Sequence, residues 1–292
     1  MPTLKKVAAI LNPPAPHMVG DGFRVHNFFP SGHKLKMDPF YLLDYNAKIE
    51  FSPTNKLRGV GVHPHRGFET VTIAYHGAVA HHDSAGNSGV IYPGDVQWMT
   101  AASGILHKEY HEENFSKSGG TFQMVQLWVN LPAKFKMSTP KYQALPNDNM
   151  SKYNLPNENG VVEIIAGEYE GIKGSAFTFT PIEMYNLKLN AGAKVTLASP
   201  ASYNTALIVI EGAITVNATE KAITNQMVHF EHEGSDIEIE ADENSIVLFL
   251  SGEPINEPIA KYGPFLMNKP EELQQAIEDY NTGKFGYLEE DV

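Results

Sequence analysis

Short runs of β-branched and aromatic residues, each closed by Gly, Pro, Asn or Asp, recur along almost the whole chain. This punctuation restricts the fold to an all-β sandwich or barrel. Residues 69–75, 122–129, 206–210 and 245–250 are such runs. Residues 236–240 alternate Asp, Ile, Glu, Ile, Glu, so the isoleucines face a core and the acids face water. Residues 7–11 read as a further strand. One short helix is expected near the C-terminus: Asn268 caps it, Glu271 completes a capping box, Leu273, Ala276, Ile277 and Tyr280 share one face, and Gly283 stops it.

The two halves echo each other. Segments 71–79 and 207–214 both read as strand, tight turn, strand, with Gly77 and Gly212 at the turns. A chain of 292 residues is long enough for two domains, and a duplicated barrel is the economical reading. Prolines and asparagines interrupt the pattern between Pro132 and Asn159. The expected division is an N-terminal domain at 1–135, a linker region at 136–160 and a C-terminal domain at 161–292.

Charge and composition exclude several function classes. A formal net charge of −12 repels phosphate backbones, so direct nucleic-acid binding is not expected, and a basic protein partner suits the surface better. The absence of cysteine removes disulfides, thiolate metal sites and cysteine nucleophiles, leaving chemistry to His, Asp, Glu or Tyr. Residues 7–11 are too short for a signal-peptide core and no apolar segment approaches the length that spans a bilayer. The expectation is a cytoplasmic protein without membrane contact.

The sharpest chemical signal is His63-Pro64-His65. Side chains two apart on a strand share a face, so both imidazoles can converge on one ion, with Pro64 stiffening the backbone between them. His107-Lys108-Glu109 repeats the spacing and turns Lys108 away. Three imidazoles and a carboxylate suit Fe(II), Mn, Ni, Cu, Zn or Co, with coordination positions left open. Glu69 lies four residues after His65, also an even offset, so both carboxylates are eligible if the strand is unbroken. Adjacent His81 and His82 face opposite ways, and a turn or rim role is expected for them. His229 and His232, three apart, are expected at the surface. Counting back from the glycine turns, His63 corresponds to Ala198 and His65 to Pro200, so the second half lacks ligands.

Segments 63–72 (HPHRGFETVT), 83–87 (DSAGN), 93–101 (PGDVQWMTA), 103–109 (SGILHKE), 126–132 (QLWVNLP) and 263–268 (GPFLMN) together closely resemble the pirin family. The likeness runs from Asp38-Pro39-Phe40 to the C-terminal helix, with Gln123-Met124 departing from the His-Gly pair of many relatives. It implies a bicupin, two jelly-roll β-barrels with a metal in the first only, held by His63, His65, His107 and Glu109. Glu69 is then left as a strand residue or as a partner to a ligand. Several pirin-like proteins act as quercetin 2,3-dioxygenases, which open the flavonol ring with O2 and release carbon monoxide. By resemblance, the cofactor is one Fe(II) ion and the substrate a flavonol or related enediol, with Glu109 as the base that takes the substrate hydroxyl proton. Arg66 and Trp98 are expected as a strand-end salt bridge and a core aromatic. Eukaryotic pirins serve instead as cofactors of transcription factors and some bacterial relatives regulate metabolic enzymes, so a redox-dependent protein partner is the alternative. Internal duplication supplies the contact that single cupins gain by dimerising, and a monomer is expected.

Overall fold

A computed structural model describes residues 3–30 and 35–290. The chain divides into two compact units, one comprising residues 14–35, 39–147 and 255–292, the other residues 1–13, 36–38 and 148–254. Both termini therefore depart from the contiguous 1–135 and 161–292 division. The Val7–Leu11 strand pairs with Met227–Phe230, and Arg66 bridges to Phe265, pairings between distant segments for which local sequence carries no mark. The expected linker also contains two strands, Lys141–Leu145 and Ser151–Asn154, which belong to different units.

Among the described residues, each unit is built on a seven-stranded and a four-stranded antiparallel sheet and carries one further two-stranded sheet. In the unit holding residues 39–147, the smaller sheet runs Gly59–His65, Ile105–His111, Val79–Asp83, Ser88–Ile91. The order at the centre of its larger sheet is Val96–Thr100, Phe68–His76, Gly120–Asn130, Phe40–Phe51. The other unit repeats the plan: Lys194–Ala198, Asp236–Ala241, Ala213–Val216 and Glu220–Ile223 form the small sheet, and Met227–Phe230, Asn204–Glu211, Ser245–Gly252 and Ile182–Leu189 are central in the large one. The architecture is a duplicated one, as the repeated hairpins predict. Gly77 and Gly212 both adopt positive φ, at 79° and 86°, which the tight turns require.

Leu187, Val209, Ile237, Ile239, Val247 and Phe249 belong to one apolar cluster of the second unit, and Ile237 and Ile239 are buried as their alternation predicts. In the first unit Phe28, Phe40, Leu43, Val71, Trp98 and Leu127 are fully buried, Phe23, Val25, Val79, Ile91 and Phe122 form one apolar cluster and Met99, Ala101 and Ile105 another. Buried Thr72, Gln97, His107 and Glu109 share that interior. Burying a large apolar side chain contributes roughly 1.5–3 kcal/mol, whereas a buried polar group costs free energy until it finds a partner, so the polar interior marks a place kept for chemistry.

The C-terminal helix spans Pro270–Asn281, one residue later than its expected start. Pro270, with its fixed φ and no N–H, takes the first turn, which makes Lys269 the cap and Glu272 the box glutamate. The Glu272 carboxylate accepts from the backbone N–H groups of Asn268 and Lys269, at 2.9 and 3.0 Å. Leu273, Ala276 and Ile277 pack against Phe265, Phe285 and Leu106, the residue before His107. Among the described residues, no helix is long and apolar enough to cross a membrane.

Candidate metal centre

The antiparallel pairing of Gly59–His65 with Ile105–His111 brings the two histidine motifs together. His107 lies opposite His63 and Ile105 opposite His65, so all three imidazoles project from one face. The register then slips, placing Glu109 opposite Val60. This bulge turns the Gly61 carbonyl onto the His63 ring, where it accepts from Nδ1 at 2.8 Å. With the proton fixed on Nδ1, the His63 Nε2 lone pair is free for a metal.

The ligand atoms of His63, His65 and His107 lie within 4.8 Å of one another. His63 Nε2 and His65 Nε2 are 3.0 Å apart. Burial pushes all three imidazoles below the ordinary histidine range, and for His65 and His107 the neighbouring rings add to it. They are therefore neutral near pH 7, the state that ligation requires. Both nitrogens of His107 are buried without a hydrogen-bond partner. Three neutral imidazoles that converge in this way fit a divalent cation, which would satisfy the lone pairs aimed at it.

Glu109 stands beside this set. Its Oε1 is 3.9 Å from His107 Nε2, its Oε2 accepts from Gln126 Nε2 at 2.7 Å and Oε1 accepts from Thr72 Oγ1 at 3.3 Å. Burial raises its carboxyl to about 7 against the pull of those two donors. Glu69 does not share the face. The Gly67 turn, at φ 89°, ends one strand and begins another in the larger sheet, where Thr72 points toward Glu109. Glu69, three residues before Thr72, points to the opposite side and accepts from Thr100 Oγ1 at 2.7 Å. The even offset from His65 thus fails because the strand is broken.

His81 corrects the expectation of a rim position. It lies opposite Glu109 on the neighbouring strand, is fully buried with both ring nitrogens unpartnered, and its ring centroid is 6.2 Å from that of His107. His82 faces the other way and bonds the Tyr110 hydroxyl at 3.0 Å. Sequence spacing carries no signal for His81; only its register against Glu109 reveals it. Trp128 is the second unexpected neighbour. It stacks on Phe68 at 4.1 Å, and the His65 ring stands edge-on to both at 5.6 and 5.1 Å. Trp98 is a fully buried core aromatic, as expected, on the face of the sheet away from the centre. His229 is half-buried, and exposed His232 bonds Asn204 at 2.8 Å.

The backbone around the ligands is anchored from several sides. Arg66 forms a buried ion pair with Asp279 at 2.9 Å, donates from Nε to the Ser103 carbonyl at 2.6 Å and covers the Phe285 ring at 4.6 Å. Lys284 and Gln275 also bond Asp279, and with Arg66 they hold its carboxyl down to about 2 against the effect of burial. The Lys136 ammonium, fully buried, donates to the carbonyls of Gly67 and Leu266 and to Asn130 Oδ1. Lys108 points away from the imidazoles, as the spacing predicts, and donates to the Glu289 carbonyl at 2.9 Å.

Two cupin units, one of them carrying three convergent imidazoles, define a bicupin with a candidate metal centre. The pirin family model matches residues 22–129, and the model of the pirin C-terminal cupin domain matches residues 184–286. A Pseudomonas aeruginosa protein named "Putative quercetin 2,3-dioxygenase" is 47% identical over 284 residues, covering 97% of this chain and 99% of its own. Human pirin is 36% identical over 277 residues, 92% of this chain and 90% of its own. A crystal structure of quercetin 2,3-dioxygenase from Acinetobacter baumannii superposes with a TM-score of 0.92 at 46% identity, covering 98% of this chain and 100% of that one. The chain belongs to the pirin family.

Proposed function

We propose that this protein is a dioxygenase that holds one Fe(II) ion on His63, His65, His107 and Glu109 and cleaves quercetin-like flavonols or related enediols with O2. The observation that carries the reading is the convergence of three neutral imidazoles within 4.8 Å, His65 and His107 buried and His63 half-buried, with the Glu109 carboxylate beside His107. When bound, the ion supplies positive charge and open positions for a substrate oxygen and for O2. The protein's own groups then do four things. The Gly61 carbonyl fixes the His63 tautomer, Thr72 and Gln126 orient Glu109, and the Glu109 carboxylate takes the proton of the substrate hydroxyl. Trp128, half-buried and stacked on Phe68 beside His65, offers an apolar face to a planar aromatic ligand. The reading includes a cytoplasmic monomer. Its test is anaerobic loading with Fe(II), or with Mn, Ni, Cu, Zn or Co in turn, followed by O2 uptake over a panel of flavonols and enediols.

A second reading keeps the ion and changes its use. In it, oxidation of the metal alters affinity for a basic protein partner, favoured by the net charge of −12.

A further inference from the structure

Lys261 stands over two aromatic rings beside the imidazoles. Its hairpin, Ala260–Tyr262 with Phe265–Met267, is fastened to the residue after His65: the Leu266 N–H donates to the Arg66 carbonyl at 3.0 Å, and the Arg66 N–H donates to the Pro264 carbonyl at 3.3 Å. Lys261 pairs with Leu266 in that hairpin, so backbone hydrogen bonds set its place relative to His65. Its ammonium lies 5.8 Å from the centre of the Trp128 ring and 5.7 Å from that of Tyr41. The His65 ring lies 5.6 Å from the same indole. One indole therefore neighbours both an imidazole of the centre and a cation.

Trp128 and Tyr41 are half-buried and Lys261 is exposed, so all three reach solvent. The ammonium rests on ring faces, a weak hold at an exposed site that a flexible four-carbon stem can leave. Among the described residues it forms no ion pair or hydrogen bond. Asp44, whose carboxylate senses this charge, is buried and accepts from Asn27 Nδ2 at 2.7 Å. Glu109 is likewise engaged inside, by Gln126 and Thr72. The accessible charge beside the indole is thus the Lys261 cation.

We propose that Lys261 selects planar aromatic substrates that carry an ionised oxygen, phenolate or carboxylate, at the end away from the imidazoles. The aromatic body lies on Trp128, and the ammonium leaves the rings to bond the anionic oxygen. A ligand with an ammonium at that end meets like charge, and a neutral one forgoes the charge-assisted bond. This selection rests on the reading of the centre as a flavonol site and adds the charge that the substrate carries.

Anaerobic calorimetry on the full-length protein, with and without Zn(II), tests the assignment independently of O2 uptake. The ligands are flavonol, its 4′- and 7-carboxylates, and its 4′-trimethylammonium derivative. The better carboxylate should bind about fivefold more tightly than flavonol, and the trimethylammonium compound more weakly than flavonol. Lys261→Met should erase the carboxylate preference, Lys261→Arg should keep it, and added salt should reduce it. Trp128→Leu should weaken binding of the whole set. Equal affinity for flavonol and both carboxylates, no binding of either carboxylate, or an intact preference in Lys261→Met would each overturn the proposal. A carboxylate preference without O2 uptake would remove the dioxygenase reading alone, and turnover without that preference would remove the selection by Lys261 alone.

Discussion

His63 Nε2 and His65 Nε2 face each other at 3.0 Å, and Gly61 already binds the opposite nitrogen of His63. Two neutral imidazoles so placed direct lone pairs into the same space, an arrangement that a cation relieves. His63→Ala or His107→Ala should therefore abolish stoichiometric metal while the fold persists on the remaining packing. Elemental analysis with far-UV circular dichroism checks this, and stoichiometric metal retained in both variants would remove the assignment.

The two buried carboxylates separate by function. Glu109→Gln should abolish catalysis and weaken metal retention, because Glu109 stands beside His107. Glu69→Gln, on the opposite face, should change metal affinity by no more than about tenfold, the lower range for partners of ligands. Metal titration of both variants ranks them. The reverse ranking would return the ligand to Glu69.

Glu69 also predicts a pH dependence. Burial raises its carboxyl to about 7, so the native state binds more protons than the unfolded chain between the ordinary value of 4.5 and 7. Stability from this group is present below 4.5 and is lost as pH rises through 7. The loss is on the order of 3 kcal/mol by pH 8. Glu69→Gln, neutral throughout, should flatten that part of the profile in urea denaturation of metal-free protein. An unchanged slope would contradict it.

The fold and half of the centre were legible in the sequence. Alternation marked the strands, and the spacing of His63 with His65 and of His107 with Glu109 put each pair on one face. Long-range register was not legible. His81 reaches the centre through its pairing with Glu109, and Glu69 leaves it because Gly67 breaks the strand. A Cβ at Gly67 would stand 2.0 Å from the Leu266 carbonyl oxygen, a contact made by a segment about two hundred residues away in sequence. The exchange of terminal segments between the units was hidden for the same reason, and Trp128 rather than Trp98 lies beside His65.

Arg66 and Asp279 tie the C-terminal helix to the residue after His65. Asp279→Asn should destabilise the protein by at least about 2 kcal/mol at neutral pH, because it leaves Arg66 buried beside a neutral amide. In the parent protein this contribution is present above the ordinary aspartate range and fades as pH falls toward 2, where Asp279 gains its proton. Denaturant midpoints at pH 7 and in acid check both parts. A variant as stable as the parent at pH 7 would show that the pair contributes nothing net.

Oxygen consumption per iron tests the central claim most directly. Fe(II)-loaded protein should consume O2 only when a flavonol or related enediol is present, one O2 per ring opened, with many turnovers per metal and little dependence on salt. Glu109→Gln should lose this turnover. Consumption of no more than one equivalent of O2 per iron across the whole panel, with oxidation instead changing salt-sensitive binding to a basic protein, would contradict the dioxygenase and favour the regulator.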